Sequence, residues 1–302
     1  MKQVYIVMLN WNGLADTLEC LQSLEKIDYP DHKIVLVDNG SNNNEADIIA
    51  QKYPGIHLIR NRENRGIPLA TNQGIEFGLA RGADYILFLN NDTIVKPDFL
   101  SILVDYAEKH EEAGAVGPKM LYYNSDKIWF NGGMVYWWLG FNRHLERSRE
   151  NGKSVISSPK EVDYITGCCV LMRREALEKA GLLDPIYFTQ YEDVDWCWRI
   201  KKLGFKNIVV PESVIWHKVS SSLGQQASQR LSKLQAYYVS RNAIIFARKH
   251  LSGFKKFVFL TAQFTLRLGV NLILCRNNHA RIEYFRGLIA GFDTRRELRR
   301  DA

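Results

Sequence analysis

Apolar and polar positions change rhythm several times along the chain. "VYIVML" from Val4, "KIVLVD" from Lys33, "IHLIR" from Ile56 and "DYILFLNND" from Asp84 are short and almost continuously apolar. Between them the spacing becomes helical: Leu14, Leu18, Leu21 and Leu24 share one face, and "EADIIAQKY" follows the second apolar run. "PLATNQGIEFGLARG" reads as a helix opened by Pro68 in its first turn and closed near Gly82. Apolar strands separated by helices predict a parallel sheet covered on both faces. Ligands of such sheets sit beyond the carboxyl ends of the strands. Two strands run into polar clusters there, "VDNGS" (Asp38 to Ser41) and "LNNDT" (Leu89 to Thr93). One such cluster is ordinary turn chemistry; two on neighbouring strands suit a site as well as they suit turns.

From about Ala115 to Tyr164 the pattern is less regular, and "IWFNGGMVYWWLGF" suggests short strands and a hairpin. Helices follow at "RREALEKAG" and from Glu192 to Leu203. The last fifth differs again. Phe257 to Leu274 is an eighteen-residue apolar stretch in which Gln263, Arg267 and Asn271 recur every fourth residue. One polar stripe on an apolar helix bracketed by Lys255, Lys256 and Arg276 suits a helix lying on a membrane surface; a core-packing helix with one wet stripe is the alternative.

Composition narrows this picture. The chain has 302 residues and is 46% hydrophobic and 24% charged, a globular balance. The opening residues suit a buried first strand better than a secretory leader. Five cysteines without a paired spacing read as buried free thiols. The net charge of +7 is uneven: from Arg241 onward 13 Lys/Arg stand against 4 Asp/Glu. A basic tail, ending in "RRELRR", on a near-neutral body favours an anionic membrane surface as partner. No zinc finger, RNA-recognition signature or clear helix-turn-helix supports nucleic acid. The expected organisation is therefore 1–248 as a catalytic domain and 249–302 as a basic amphipathic helical region.

The polar clusters carry chemistry. Asp92 ends a buried strand, where a carboxylate can hold Mg²⁺ or Mn²⁺ against phosphate oxygens, with Asn90 and Asn91 as neutral oxygen donors. Asp38 can accept hydrogen bonds from a ribose or a base. "NRENRGIP" enters a helix whose N-terminus favours anions, and Gly66 allows close backbone approach. Neither GxxxxGK[ST] nor GxGxxG is present, which argues against ATP hydrolysis and dinucleotide binding. Three acids crowd into "YEDVDWCWRI". Asp195 lies four residues before Arg199 and reads as its ion-pair partner. Glu192 sits near the helix start and suits the dipole or an acceptor. Asp193 has no local partner. Helix geometry alone leaves the choice of a base between these acids open.

In order, "NWNG", "VDNGS", "ENRG" with "TNQG", "LNND", "ITGCCVLMRREAL", "GLLDPIYF", "YEDVDWCWRI" and "WH" resemble glycosyltransferase family 2, in particular its bacterial rhamnosyltransferase-like members. The resemblance covers roughly Val4 to Arg248. It implies a GT-A fold: an α/β, Rossmann-like, mostly parallel sheet with flanking helices, here followed by the C-terminal helical region. It also implies an inverting transfer from a nucleotide sugar, with dTDP-rhamnose as donor, Mg²⁺ or Mn²⁺ as cofactor, and a lipid-linked or cell-surface glycan as acceptor. By resemblance Asp193 is the base and Asp92 and His217 meet the metal. Asn10, Asp38, Asn64, Gly66 and Asn91 fall on the donor side, and Thr166, Gly167 and Glu192 on the acceptor side. Without the resemblance, His217 after Trp216 reads as well as a packed strand-end residue. Asn90 stands where many members have a first Asp, which leaves the metal site one negative charge short. The implied location is the cytoplasmic face of a bacterial membrane, with a homo-oligomer left open. A sugar-nucleotidyltransferase or a non-catalytic nucleotide-sugar-binding protein are the competing readings.

Overall fold

The computed structural model describes residues 1–219 and 231–293. The expected basic run at 295–300 lies outside the described residues.

The first third folds as its periodicity predicts. β1 (Val4–Asn10), β2 (His32–Asn39), β3 (His57–Asn61) and β4 (Tyr85–Asn90) alternate with α1 (Leu14–Leu24), α2 (Glu45–Lys52) and α3 (Gly66–Leu79). β5 (Thr93–Val95) and α4 (Phe99–Lys109) follow. β6 (Ala113–Tyr122) and the short β7 (Ile128–Phe130) lead to a hairpin of β8 (Gly133–Tyr136) and β9 (Phe141–His144). Then come β10 (Lys160–Val162), β11 (Cys169–Arg173), α5 (Arg174–Ala180), α6 (Glu192–Lys202) and β12 (Lys206–His217). Four helices complete the described chain: α7 (Lys233–His250), α8 (Gly253–Phe264), α9 (Leu266–Leu274) and α10 (Asn278–Ala290).

The main sheet runs β10-β12-β6-β11-β4-β1-β2-β3, with β5 added on β12 and β7 on β6. Strands β3, β2, β1 and β4 are mutually parallel, while β11 lies antiparallel between β4 and β6. The chain winds outward in both directions from β1, so a crevice opens beyond the carboxyl ends of β1 and β4. In-register pairing sets Asn10 beside Asp38, and Leu9 beside Asn90. Ile6, Met8, Leu87 and Leu171 are completely or almost completely buried beneath that edge.

A second, smaller core joins α7 to α10 through Ala236, Ile244, Tyr284 and Leu288. The helices touch closely here: a Cβ on Gly287 would stand 2.1 Å from Ser240 Oγ. Arg248 and Lys249, on either side of the expected domain boundary, lie within α7.

The apolar stretch expected as one helix from 257 to 274 is broken at Thr265, and α8 and α9 meet with a 40° bend. Thr265 Oγ1 bonds back to the Thr261 carbonyl at 2.9 Å, a local competitor for the helical ladder. The polar stripe does not face water. Gln263 is buried and donates to the Gly140 carbonyl, and Asn271 is buried and donates to Tyr284 Oη at 2.7 Å.

Candidate active site

At the end of β1, Asn10 is completely buried. Its amide nitrogen donates to Asp38 Oδ2 at 2.8 Å, Ser41 Oγ at 3.0 Å and Glu45 Oε2 at 2.9 Å. Its oxygen accepts from Thr17 Oγ1 at 2.8 Å. Asn10 therefore ties β1 to the loop after β2. Thr17 Oγ1 in turn accepts from Asn91 Nδ2 at 2.8 Å, so Asn91 too is engaged inside the protein. Asp38 is held by Asn10 and by the Ser41 backbone N–H at 3.0 Å, which fixes its carboxylate at the edge of the crevice.

The next loop is held by Asn39. Its amide donates to Asn64 Oδ1 at 3.0 Å, and its oxygen accepts from Asn61 Nδ2 at 3.0 Å and Arg65 N at 3.1 Å. Asn64 Oδ1 also accepts from Gly66 N at 2.9 Å. The left-handed φ of +80° at Gly66 starts α3. A Cβ there would meet the Phe188 ring at 2.6 Å. The glycine thus permits contact with the segment preceding α6; the sequence alone suggested room for a ligand.

Asp92, just past β4, is buried, and its Oδ1 lies 3.1 Å from His217 Nε2 at the end of β12. Burial pushes the Asp92 carboxyl up, but His217 and Lys218 outweigh that and hold it below the ordinary aspartate value. Nδ1 of His217 is buried without a hydrogen-bond partner among the described residues, and Trp129 turns an edge to the ring at 4.2 Å. No cluster of three or more His, Cys, Asp or Glu side chains forms a metal cage among the described residues. One carboxylate and one imidazole make an incomplete shell for a hard cation. They fit an ion whose other positions are filled by diphosphate oxygens and water.

The three acids of α6 have separate surroundings. Asp195 is completely buried and accepts from Arg199 Nε at 2.9 Å, Tyr187 Oη at 2.9 Å, Lys249 Nζ at 2.7 Å and His250 Nε2 at 2.7 Å. Burial alone would raise its pKa; His250, Lys249 and Arg199 reverse the sign and hold it far below the usual range. Glu192 turns into an apolar pocket lined by Phe88, Ile165, Val170, Leu183 and Trp196. Its Oε2 has no hydrogen-bond partner among the described residues. Burial, then the neighbouring Asp193 charge, pushes its pKa up to about 8, so it is mainly protonated at neutral pH. Asp193 is half-buried. Its Oδ2 accepts from Gly167 N at 2.9 Å and its Oδ1 from Val194 N at 2.8 Å. Burial raises its pKa, and hydrogen bonds from Gly167, Val194 and Thr166 offset part of the rise. With three donors on about four acceptor sites, the carboxylate keeps room for one further donor. Of the three, Asp193 alone is a partly accessible carboxylate with no cationic partner among the described residues.

Thr166 and Gly167, expected on the acceptor side, contact the expected base itself. The same turn reaches the metal side, because Asn90 N donates to the Cys168 carbonyl at 2.8 Å. Burial, and then the charge of Asp92, pushes the Cys168 thiol up. The turn after β10 thus bridges the two expected centres.

Several positioning residues escape sequence reasoning. Glu45 binds Asn10 and the Gly13 N–H at 3.0 Å, and nothing in "EADIIAQK" marks it apart from a helix-start acid. Asn242 of α7 donates to the carbonyls of Tyr187 at 3.0 Å and of Thr189 and Gln190 at 2.7 Å each. It thereby fixes the segment that delivers α6, from more than fifty residues away. Asn39 was within reach, since it stands inside "VDNGS".

The glycosyl transferase family 2 profile matches residues 5–181. A dTDP-rhamnosyl transferase, RfbF, of Shigella flexneri is 26% identical over 95% of this chain and 97% of its own length. An N-acetylglucosaminyl-diphospho-decaprenol L-rhamnosyltransferase of Mycobacterium tuberculosis is 27% identical over 66% of this chain and 70% of its own length. Among solved structures, S. aureus TarS in complex with UDP-GlcNAc superposes with a TM-score of 0.64 at 16% identity, over 96% of this chain and 80% of that one. A mannosyltransferase from Pyrobaculum calidifontis in complex with GDP-Man and Mn²⁺ gives 0.58 at 16% identity, over 97% and 86%. With more than half its length matched by the family profile and the GT-A architecture in place, this chain belongs to glycosyl transferase family 2.

Proposed function

We infer that this family 2 enzyme is an inverting rhamnosyltransferase. Its donor is dTDP-rhamnose and its acceptor a lipid-linked or cell-surface glycan. The observation that carries the reading is the state of Asp193: partly accessible, oriented by two backbone N–H groups, raised in basicity, and flanked by an ion-paired Asp195 and a protonated Glu192. A sugar hydroxyl is a poor nucleophile. Asp193 accepts its proton as the oxygen attacks the anomeric carbon, the bond to the nucleoside diphosphate breaks, and the diphosphate leaves with the electron pair. Attack opposite the leaving group inverts the anomeric centre.

Asp38 is positioned for the nucleoside, and the Asn64–Gly66 loop for the diphosphate side. Asn10 and Asn91 serve that side by holding its framework. Asp92 and His217 would hold Mg²⁺ or Mn²⁺ arriving with the donor, where the cation stabilises negative charge on the departing diphosphate. Thr166 and Gly167 orient Asp193, and Glu192 lines the acceptor end. The rhamnose preference rests on the two rhamnosyltransferase relatives. Residues 1–248 carry the chemistry and 249–302 the approach to a membrane at the cytoplasmic face.

Nucleoside diphosphate release tests this. With dTDP-rhamnose, Mg²⁺ or Mn²⁺ and a lipid-diphosphate sugar, Asp193→Asn should lower turnover by about a thousandfold yet keep donor-induced thermal stabilisation. Asp92→Ala should weaken both. Near-normal turnover in Asp193→Asn would remove the base assignment, and release of pyrophosphate would point to nucleotidyl transfer.

A further inference from the structure

Ten of the eighteen large apolar side chains exposed among the described residues lie between Phe254 and Phe292, so the exposure is local and not scattered. Each of α8, α9 and α10 carries a stripe of them. Phe254 and Phe257 are 73% and 68% exposed, Leu266 and Ile273 52% and 76%, and Ile282 and Ile289 56% and 72%. On α8, Phe254 and Phe257 lie opposite the buried Phe259 and Gln263. On α10, Ile282 and Ile289 lie opposite Ala280, Tyr284 and Gly287, which pack on α7. Phe264 stacks on Phe292 at 6.1 Å, joining the stripes of α8 and α10.

The amphipathy of this layer is inverted. Gln263 and Asn271 are bonded inside the protein, and the Arg267 guanidinium lies 4.7 Å over the Phe141 ring. A helix with water as its only neighbour would turn these groups outward and its apolar stripe inward. Here the polar contacts fix the opposite orientation.

Building on the membrane approach proposed above for residues 249–302, we propose that the outer face of α8, α9 and α10 inserts into one leaflet of a bilayer containing anionic phospholipid. The charge rim favours that occupant. From Gly253 to Asp293 the chain has six Lys/Arg against two Asp/Glu, and Lys255, Arg276, Arg281 and Arg286 are exposed around the stripes. A second copy would bring like-charged rims together, whereas lipid phosphates complement them. No single helix among the described residues is long and apolar enough to cross a bilayer; α8 and α9 together have the length and composition for a bent span, but the buried bonds of Gln263 to Gly140 and of Asn271 to Tyr284 hold the pair against the protein. The layer therefore lies along the interface. Trp138, half exposed and packed against Trp137, over whose ring Lys255 lies, adds an aromatic side chain of the kind that settles at headgroup level.

The test needs neither donor nor acceptor, so it is separate from the transfer reading. Sediment the full chain with phosphatidylcholine vesicles and with vesicles that also contain phosphatidylglycerol. The protein should bind the anionic vesicles. A triple variant, Phe257→Asp, Ile273→Asp and Ile289→Asp, should bind at least about tenfold more weakly with an unchanged melting temperature. A rim variant, Lys255→Glu with Arg286→Glu, should lose the preference for phosphatidylglycerol and provides the check if the triple variant does not fold. Wild-type protein that stays in the supernatant, or variants that bind as well as wild type, would overturn the proposal. A wild-type dimer that the triple variant converts to monomer, with no vesicle binding by either, would assign the face to a second copy.

Discussion

Polar side chains are buried at the sheet edge, and apolar side chains are exposed on the C-terminal layer. At the edge, Asn10, Asp38, Asn39 and Asp92 are nearly inaccessible, yet each has internal partners. That region keeps its shape without a ligand, because desolvation of these amides and carboxylates is offset within the protein. On the outer layer nothing among the described residues offsets the exposure of Phe257 or Ile273. One departure from the usual burial rule is self-sufficient; the other needs a partner phase. The difference separates a preorganised site, which waits for a ligand, from a surface whose stability in water depends on what covers it.

Asp195 ties α6 to the end of α7, between these two regions in the chain, and its removal is the most damaging break. Asp195→Ala leaves Arg199, Lys249 and His250 clustered without their anion and should cost about 3–5 kcal/mol in urea unfolding. Its folded pKa is held below the unfolded one. The stabilisation is therefore present above about pH 4 and is lost as the pH falls toward the lowered folded value. A loss under about 1 kcal/mol would mean that the network behaves like a surface ion pair.

Glu192 has the opposite sign. Its folded pKa is raised to about 8, so stability is fully present below the unfolded value and declines as the pH rises through about 8. Glu192→Gln should match wild type near about pH 5 and exceed it by roughly 1–3 kcal/mol near about pH 9, with turnover at neutral pH little changed. Parallel stability–pH curves for the two proteins would show that Glu192 is ionised in the fold.

Asn39→Ala addresses the self-sufficiency of the sheet edge directly. It leaves Asn61, Asn64 and Arg65 N short of a partner and should cost about 1–2 kcal/mol even without donor, measured by thermal unfolding with and without nucleotide. A loss seen only with nucleotide would make the loop ligand-ordered.

The sequence made the sheet edge legible because its signals are local. Continuous apolar runs end in Asn and Asp clusters, and these fall where the strand order reverses. β6 was hidden: Gly114, Gly117 and Pro118 punctuate it, and only its neighbours β11 and β12 make it a central strand. For Asp195, the i,i+4 partner Arg199 was visible, whereas Lys249 and His250 arrive from another helix. The spacing of Gln263, Arg267 and Asn271 was plain, but spacing cannot say which side of a stripe meets the protein. That depended on Gly140, Phe141 and Tyr284, which no local pattern connects to it.

The grip of Asn242 on the carbonyls of Tyr187, Thr189 and Gln190 bears on chimaera design. Exchanging the C-terminal helices between family members looks like a simple way to retarget an enzyme to another lipid surface. Here the donor tail would bring its own α7 and with it a new set of restraints on the turn that aims Asp193. A graft junction placed before α7 therefore alters catalysis as well as address. One placed after His250 keeps Asn242 and the Asp195 contacts, and the graft then has to match only the α7 face that packs on α10 and the Gly140 turn.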